Sequence, residues 1–207
     1  QAFDDWCVAQ VAKRLGHDED YEKFSRRAMF YKNLYDPHTG FFRPKDDKGQ
    51  WVEPFDPLSY EQPCFIEGNA WQYMWFVPQD PQGLVGLMGG REAFLRKLDE
   101  NFTLTATSGE RNGNASGFIG QYAHGNEPSH HTVYLYTMAG KPSRTEELVE
   151  QVRTSFYRAT PCGYAGNDDC GQMSAWYIFS SLGFYPFNAG AAEYVIGTPL
   201  FTEATLH

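Results

Sequence analysis

Hydrophobic positions recur at helical spacing along most of this chain and give way to short strand-like runs only towards its C-terminal end. Trp6, Val8, Val11, Ala12 and Leu15 keep helical periodicity up to Gly16, and Tyr21 to Leu34 reads as a second helix. The stretch from Asp36 to Pro57 is rich in Pro, Gly and Asp and predicts a long loop with one hairpin, whose strands would be Phe41-Phe42-Arg43 and Trp51-Val52. Helices are predicted over Glu67–Phe76, Pro81–Met88 and Arg91–Phe102. After the polar segment 103–128, they resume from Pro128 to Met138, from Ser143 to Arg158 and from Met173 to Leu182. Beyond Gly183, Phe184-Tyr-Pro-Phe and Ala192 to Phe201 read as short strands. Paired antiparallel helices whose long loops gather at one end describe an α/α toroid. A closed ring of six hairpins needs about twelve helices, and this pattern supplies fewer. The predicted fold class is therefore mainly α, a partial (α/α)6 toroid with short β segments near the C-terminus.

Composition narrows the function. Net charge is −9, from 26 acidic and 17 basic residues, which argues against nucleic acid or an anionic membrane as partner. No uninterrupted apolar run is long enough to cross a bilayer. Aromatic residues make up 16% of the chain, which suits an aromatic core and equally a sugar cleft, where flat rings stack on pyranose faces. The four cysteines (Cys7, Cys64, Cys162 and Cys170) lack the C-x-x-C spacing of a zinc or redox site, although Cys162 and Cys170 flank one loop and could pair in an exported protein. Asn101-Phe-Thr and Asn114-Ala-Ser match the glycosylation sequon. Gly86-Leu-Met-Gly-Gly-Arg91 lacks the Lys-Ser/Thr of a phosphate loop and fits a tight turn between helices.

Three polar clusters precede helices: Tyr60 to Tyr73, Tyr122 to His131 and Gly166 to Trp176. Each sets carboxylates among Gly and Asn at a helix entrance, where free N–H groups and the dipole favour anions. Any one of them reads as plain capping. Three at one end of a helical array read as a site.

The segments Glu67-Gly-Asn-Ala-Trp-Gln-Tyr, His124-Gly-Asn-Glu-Pro-Ser-His-His131 and Gly166-Asn-Asp-Asp-Cys-Gly-Gln-Met-Ser-Ala-Trp-Tyr, with Leu182-Gly-Phe-Tyr-Pro, resemble the signature segments of glycoside hydrolase family 92. The resemblance implies an exo-acting α-mannosidase that inverts the anomeric centre, requires Ca²⁺ and acts on mannose-containing oligosaccharides or glycoprotein glycans outside the cytoplasm, in the periplasm or extracellular space. It also implies that the chain is the C-terminal catalytic portion, residues 1–207 being part of an (α/α)6 domain. An N-terminal β-sandwich and the first helical hairpins would then lie outside it, with that sandwich as an intramolecular partner.

An inverting glycosidase needs a protonated acid for the leaving oxygen and a carboxylate to activate water, about 6.5–9.5 Å apart. Glu67 follows Cys64-Phe-Ile66 and precedes Trp71, an apolar setting that would hold its proton, and the resemblance places the general acid there. Asp169 is the candidate base, with adjacent Asp168 orienting the water or its neighbours. Asn167 stands where some members carry a third acid, which leaves the division between the two aspartates open. Glu127, just before Pro128, would be kept charged by a helix dipole and would bind the cation together with Asn126. The roles of Glu67 and Glu127 could also be exchanged. His124, His130 and His131 lack the spacing for two zinc ligands on one helical face. They are candidates for sugar contact, as are Trp71 and Trp176. A binding relic without turnover, or another α/α-toroid glycosidase acting on glucosides without calcium, are the competing readings.

Overall fold

The computed structural model describes residues 1–62, 64–111 and 113–206; Pro63, inside the first polar cluster, lies outside them. The architecture is mainly helical, in keeping with the partial toroid read from the sequence. Its eight α-helices among the described residues are α1 (Ala2–Leu15), α2 (Asp18–Arg27), α3 (Ala70–Tyr73), α4 (Pro81–Leu87), α5 (Arg91–Thr103), α6 (Leu135–Met138), α7 (Pro142–Phe156) and α8 (Gln172–Leu182). Among the described residues three two-stranded antiparallel ribbons join them: β1 (Tyr35–Asp36) with β2 (Phe41–Phe42), β3 (Phe118–Ile119) with β4 (Tyr122–Ala123), and β5 (Phe184–Tyr185) with β6 (Val195–Ile196). No helix among the described residues is long and apolar enough to cross a membrane.

The long helices follow their apolar stripes. α5 buries Phe94, Leu95, Leu98 and Phe102, and α7 buries Leu148, Val149 and Val152. These faces close on Trp75, Tyr122, Tyr134 and Trp176 to form the core. α1 departs from the pattern. It buries Asp5, Ala9 and Ala12, while Val8, Val11 and Leu15 stay exposed. The small alanine face admits close approach of α2, and Arg27 secures the pair through Asp5 at 3.1 Å.

Several helices stop sooner than the sequence pattern suggests, and each has a local cause. The second helix ends at Arg27, and the chain tightens into a 3₁₀ turn, Phe30–Leu34, which brings the Tyr31 hydroxyl to Asp80 at 2.7 Å. The helix expected from Glu67 starts only at Ala70, because Asn69 forms a capping box. Its side-chain oxygen accepts from the N–H groups of Trp71 and Gln72, while Gln72 Oε1 accepts from Asn69 N at 2.7 Å. Glu67 therefore stands ahead of the helix in a left-handed turn, with φ of 60°. The Pro128–Met138 helix divides into the 3₁₀ turns Glu127–Ser129 and Thr132–Tyr134, then α6. β2 pairs with Tyr35–Asp36 and not with Trp51, which instead bridges Lys45; buried Arg43 fixes this choice by bonding Asp36 Oδ2 at 2.9 Å.

Candidate active site

Three loops converge on one polar cavity of about 370 Å³, lined among others by Glu67, Asn114, Ser116, Asn126, Asn167 and Asp169. They are the segment ahead of α3, the approach to and exit from the β3–β4 ribbon, and the loop before α8. Glycines let them meet. A Cβ on Gly125 would lie 2.0 Å from Ser116 Oγ and 3.0 Å from Ala165 O. One on Gly117, itself at φ +62°, would lie 2.7 Å from Ala165 Cβ.

The three non-glycine residues with positive φ among those described are Glu67, Asp169 and Cys170, at 60°, 47° and 57°. Two of them are the candidate acid and base, and both line this cavity. A side chain in that region costs on the order of 1 kcal/mol and persists only where its surroundings hold it. Glu67 is held through both carboxyl and main chain: Asn114 Nδ2 donates to Oε1 at 2.6 Å, and Asn126 Nδ2 donates to its carbonyl oxygen at 3.1 Å. The surroundings of Glu67 are polar, not the apolar pocket expected, because Trp71 turns into the core and Ile66 into solvent.

Adjacent Asp168 and Asp169 separate. Asp169 faces the cavity, whereas Asp168 Oδ1 accepts from Ser174 N at 3.0 Å and Ser174 Oγ at 2.8 Å, tying the loop to the first turn of α8. Glu127 behaves opposite to expectation. Its carboxyl is raised above the usual range by burial first, then by a hydrogen bond with Asp169 and by the charges of Asp169 and Glu67. The turn it opens is three residues long, too short to sum a helix dipole that would keep it charged.

The five rings that were candidates for sugar contact, each equally readable as packing, stand in the core. Trp71 packs edge-on against Phe41 with centroids 4.9 Å apart, under the Lys97 ammonium. His131 Nε2–H donates to Trp75 O at 2.7 Å, and His130 Nε2–H to His124 O at 2.9 Å. Trp176 Nε1–H donates to His130 O at 3.0 Å. Tyr157 O–H donates to Met173 O at 3.1 Å, so its oxygen accepts from His124 Nε2–H at 2.7 Å. His124 Nδ1 is then left to accept from Tyr122 O–H at 2.7 Å. Burial lowers all three histidines, His130 and His131 to about 4 and His124 well below its ordinary value. They are neutral packing and hydrogen-bonding groups at neutral pH.

The cavity residues suit a hard cation in kind. Carboxylate, amide and hydroxyl oxygens from Glu67, Asp169, Asn126 and Ser116 line it, and a cation would offset the charges of Asp169 and Glu67 that add to burial in raising Glu127. Among the described residues no three Asp, Glu, His or Cys side chains converge as a metal cluster. A bound Ca²⁺ would thus draw part of its shell from amide, hydroxyl or water oxygens.

Asn114 and Ser116 escaped sequence reasoning. The only signals were the length of the 103–128 loop, which is typical of functional loops, and the Asn114-Ala-Ser sequon. Asn114 is exposed, whereas the other sequon residue, Asn101, is only 1% exposed within α5 and closed to modification. Cys162 and Cys170 are exposed, separate thiols.

The solved structures this chain resembles include a family GH92 α-mannosidase from Bacteroides thetaiotaomicron in complex with mannoimidazole, 43% identical, with a TM-score of 0.89 over 96% of this chain and 27% of that one. A family GH92 inverting mannosidase from the same organism is 41% identical, with a TM-score of 0.83 over 97% of this chain and 28% of that one. An Arthroderma benhamiae protein described as an uncharacterized secreted glycosidase is 27% identical over 99% of this chain and 27% of its own length. The chain thus spans about a quarter of the length of these relatives. The profile of the glycosyl hydrolase family 92 catalytic domain matches residues 1–207, and the chain belongs to that family.

Proposed function

We propose that this chain carries the acid/base centre of an exo-acting, inverting, calcium-assisted α-mannosidase that removes terminal α-linked mannose from glycans outside the cytoplasm. The observation that carries this reading is the pair Glu67 and Asp169, two acidic residues with backbone in the left-handed region, both lining one polar cavity. Likeness to two mannosidases above 40% identity supports the sugar, and a relative described as secreted supports the location. Glu67 donates a proton to the glycosidic oxygen as its bond to C1 breaks. Asp169 takes a proton from water as the water oxygen bonds C1 from the opposite face. Asn126 and Glu127 would hold Ca²⁺, which would supply electrostatic stabilisation of the bound sugar. Asp168 acts from behind, fixing the loop on which Asp169 stands.

A second assignment has its own support: burial, a hydrogen bond with Asp169 and the nearby charges raise the Glu127 carboxyl above its ordinary value, a direction that suits an acid. The two are separated by activated substrates. If Glu67 is the acid, Glu67→Gln retains turnover of a dinitrophenyl α-mannoside, which needs no protonation, and loses turnover of mannobiose. If Glu127 is the acid, that split belongs to Glu127→Gln.

The reaction is tested on the full-length protein with a panel of α-linked mannobioses, in excess Ca²⁺ and with a chelator. The expected outcome is mannose released first as the β-anomer by NMR, and abolished by the chelator. Release as the α-anomer, or release indifferent to chelation, would overturn the inverting or the calcium part respectively.

A further inference from the structure

The β3–β4 ribbon continues beyond its two-residue strands. His124 N donates to Gly117 O at 3.0 Å and Gly125 N donates to Ser116 O at 3.0 Å, so paired backbone runs from Ser116 to Gly125. The residues flanking its two ends, Asn114 and Asn126, are brought to the same place. Both meet Glu67, one at the carboxyl and the other at the main chain. From the other side, Tyr73 O–H bonds the Ile66 carbonyl, just before the strained residue. The ribbon that presents the asparagines is seated against the α8 loop by the close contacts at Gly117 and Gly125. It is a fixed jaw.

An amide N–H can only donate, so Oε1 of Glu67 is occupied as an acceptor. The transferable proton then belongs on Oε2. A carboxyl on a flexible three-bond stem would otherwise present either oxygen, and proton transfer requires one of them within hydrogen-bond reach of the leaving oxygen. We propose that Asn114 is a positioning residue for the general acid, holding the Glu67 carboxyl so that Oε2 faces the glycosidic oxygen. The inference rests on the reading of Glu67 as the acid.

Orientation of an acid matters only as far as the leaving group needs its proton, and that gives the test. Asn114→Ala and Asn114→Asp are compared with the parent in the full-length protein with Ca²⁺, on α-mannobiose and on 2,4-dinitrophenyl α-mannoside. The aspartate variant matches the shape while removing the donor, and keeps the test open if the alanine variant folds poorly. The expected result is a fall in kcat of about 10- to 100-fold on mannobiose with KM unchanged, and a change within about threefold on the activated substrate. Equal losses on both substrates would reveal a structural role, a rise in KM alone a sugar contact, and no loss no role. Each overturns the inference. Glu67→Gln runs alongside: a leaving-group split there without one in the Asn114 variants overturns this inference alone. Absence of a split in Glu67→Gln, or a parent that releases no mannose, overturns the reading beneath it as well.

Discussion

Within the single segment His124 to His131, two halves of one motif do opposite things. Asn126 lines the cavity and bonds Glu67, and Glu127 beside it bonds Asp169, which also lines the cavity. His124, His130 and His131 turn away, are buried, and spend their ring nitrogens on Tyr122, Tyr157, Gln172 and the carbonyls of His124 and Trp75. The same division recurs from the loop before α8 into that helix, where Asp169 faces the cavity while Asp168 in the loop and Trp176 on α8 serve the scaffold. A long, dense motif is therefore a composite of chemistry and of the dry packing that aims it.

The contrast is broken most sharply by exchanging one residue of each kind, a cavity carboxylate and a scaffold ring. Glu67→Gly removes the carboxylate and also frees a turn that no side chain adopts readily. Turnover of mannobiose is expected to fall about 10²–10⁴-fold, while stability rises by about 1 kcal/mol. Trp176→Ala should do the reverse. Its indole is fully buried, packs against His124 with centroids 4.5 Å apart and bonds His130 O. Its loss is expected to cost about 3–5 kcal/mol. Denaturant midpoints and kcat, measured on both variants, check the pair; a Glu67→Gly protein that is less stable than the parent would remove strain from the account.

A second effect concerns acid. His130 and His131 titrate near 4 when folded, below the 6.5 of an exposed histidine, because burial disfavours the cation. Between those values the unfolded chain binds protons that the folded chain does not, so stability falls as pH drops from about 6.5 towards 4 and is flat above that window. Each histidine contributes a slope of at most about 1.4 kcal/mol per pH unit. His131→Gln should flatten the profile by one such share, which unfolding curves between pH 7 and pH 4.5 would reveal. An unchanged slope would mean that His131 is already charged in the fold.

The sequence resolved the long helices well, since α5 and α7 carry a periodic stripe that packing then uses and α8 stands out as an apolar run closed by Gly183. It misjudged short elements, where one tertiary bond outweighs local pattern. Asn69 moves the start of α3 past Glu67, and Tyr31 reaching Asp80 ends the run after α2. At the candidate site, an acid among Gly and Asn ahead of a helix reads as a cap when taken singly, and it was the recurrence of three such clusters that stood out. Which way each acid faces was not legible. Two adjacent aspartates look alike in a string, and an aromatic ring reads the same whether it lines a cleft or fills a core. Asn114 was invisible for another reason: its partner Glu67 lies 47 positions away, and only the folded ribbon brings them together.

The finest form of the comparison is between Asp168 and Asp169. They share a backbone, a charge and a neighbourhood, so a difference between their variants reports direction alone. Asp168→Asn keeps an oxygen able to accept from Ser174 N but weakens the charge-assisted pair of bonds at 3.0 and 2.8 Å. The expected cost is about 1 kcal/mol of stability, as for a lost cap, with kcat reduced much less than in its neighbour. Asp169→Asn removes the group that would take the proton from water, and should lower kcat by about 10²–10⁴-fold with little change in stability. Added azide, a small external nucleophile, separates a missing base from a misplaced loop. It should restore turnover of an activated mannoside in Asp169→Asn and do nothing for Asp168→Asn. If both variants lose activity equally, the scaffold role of Asp168 is wrong, and the pair acts on water together.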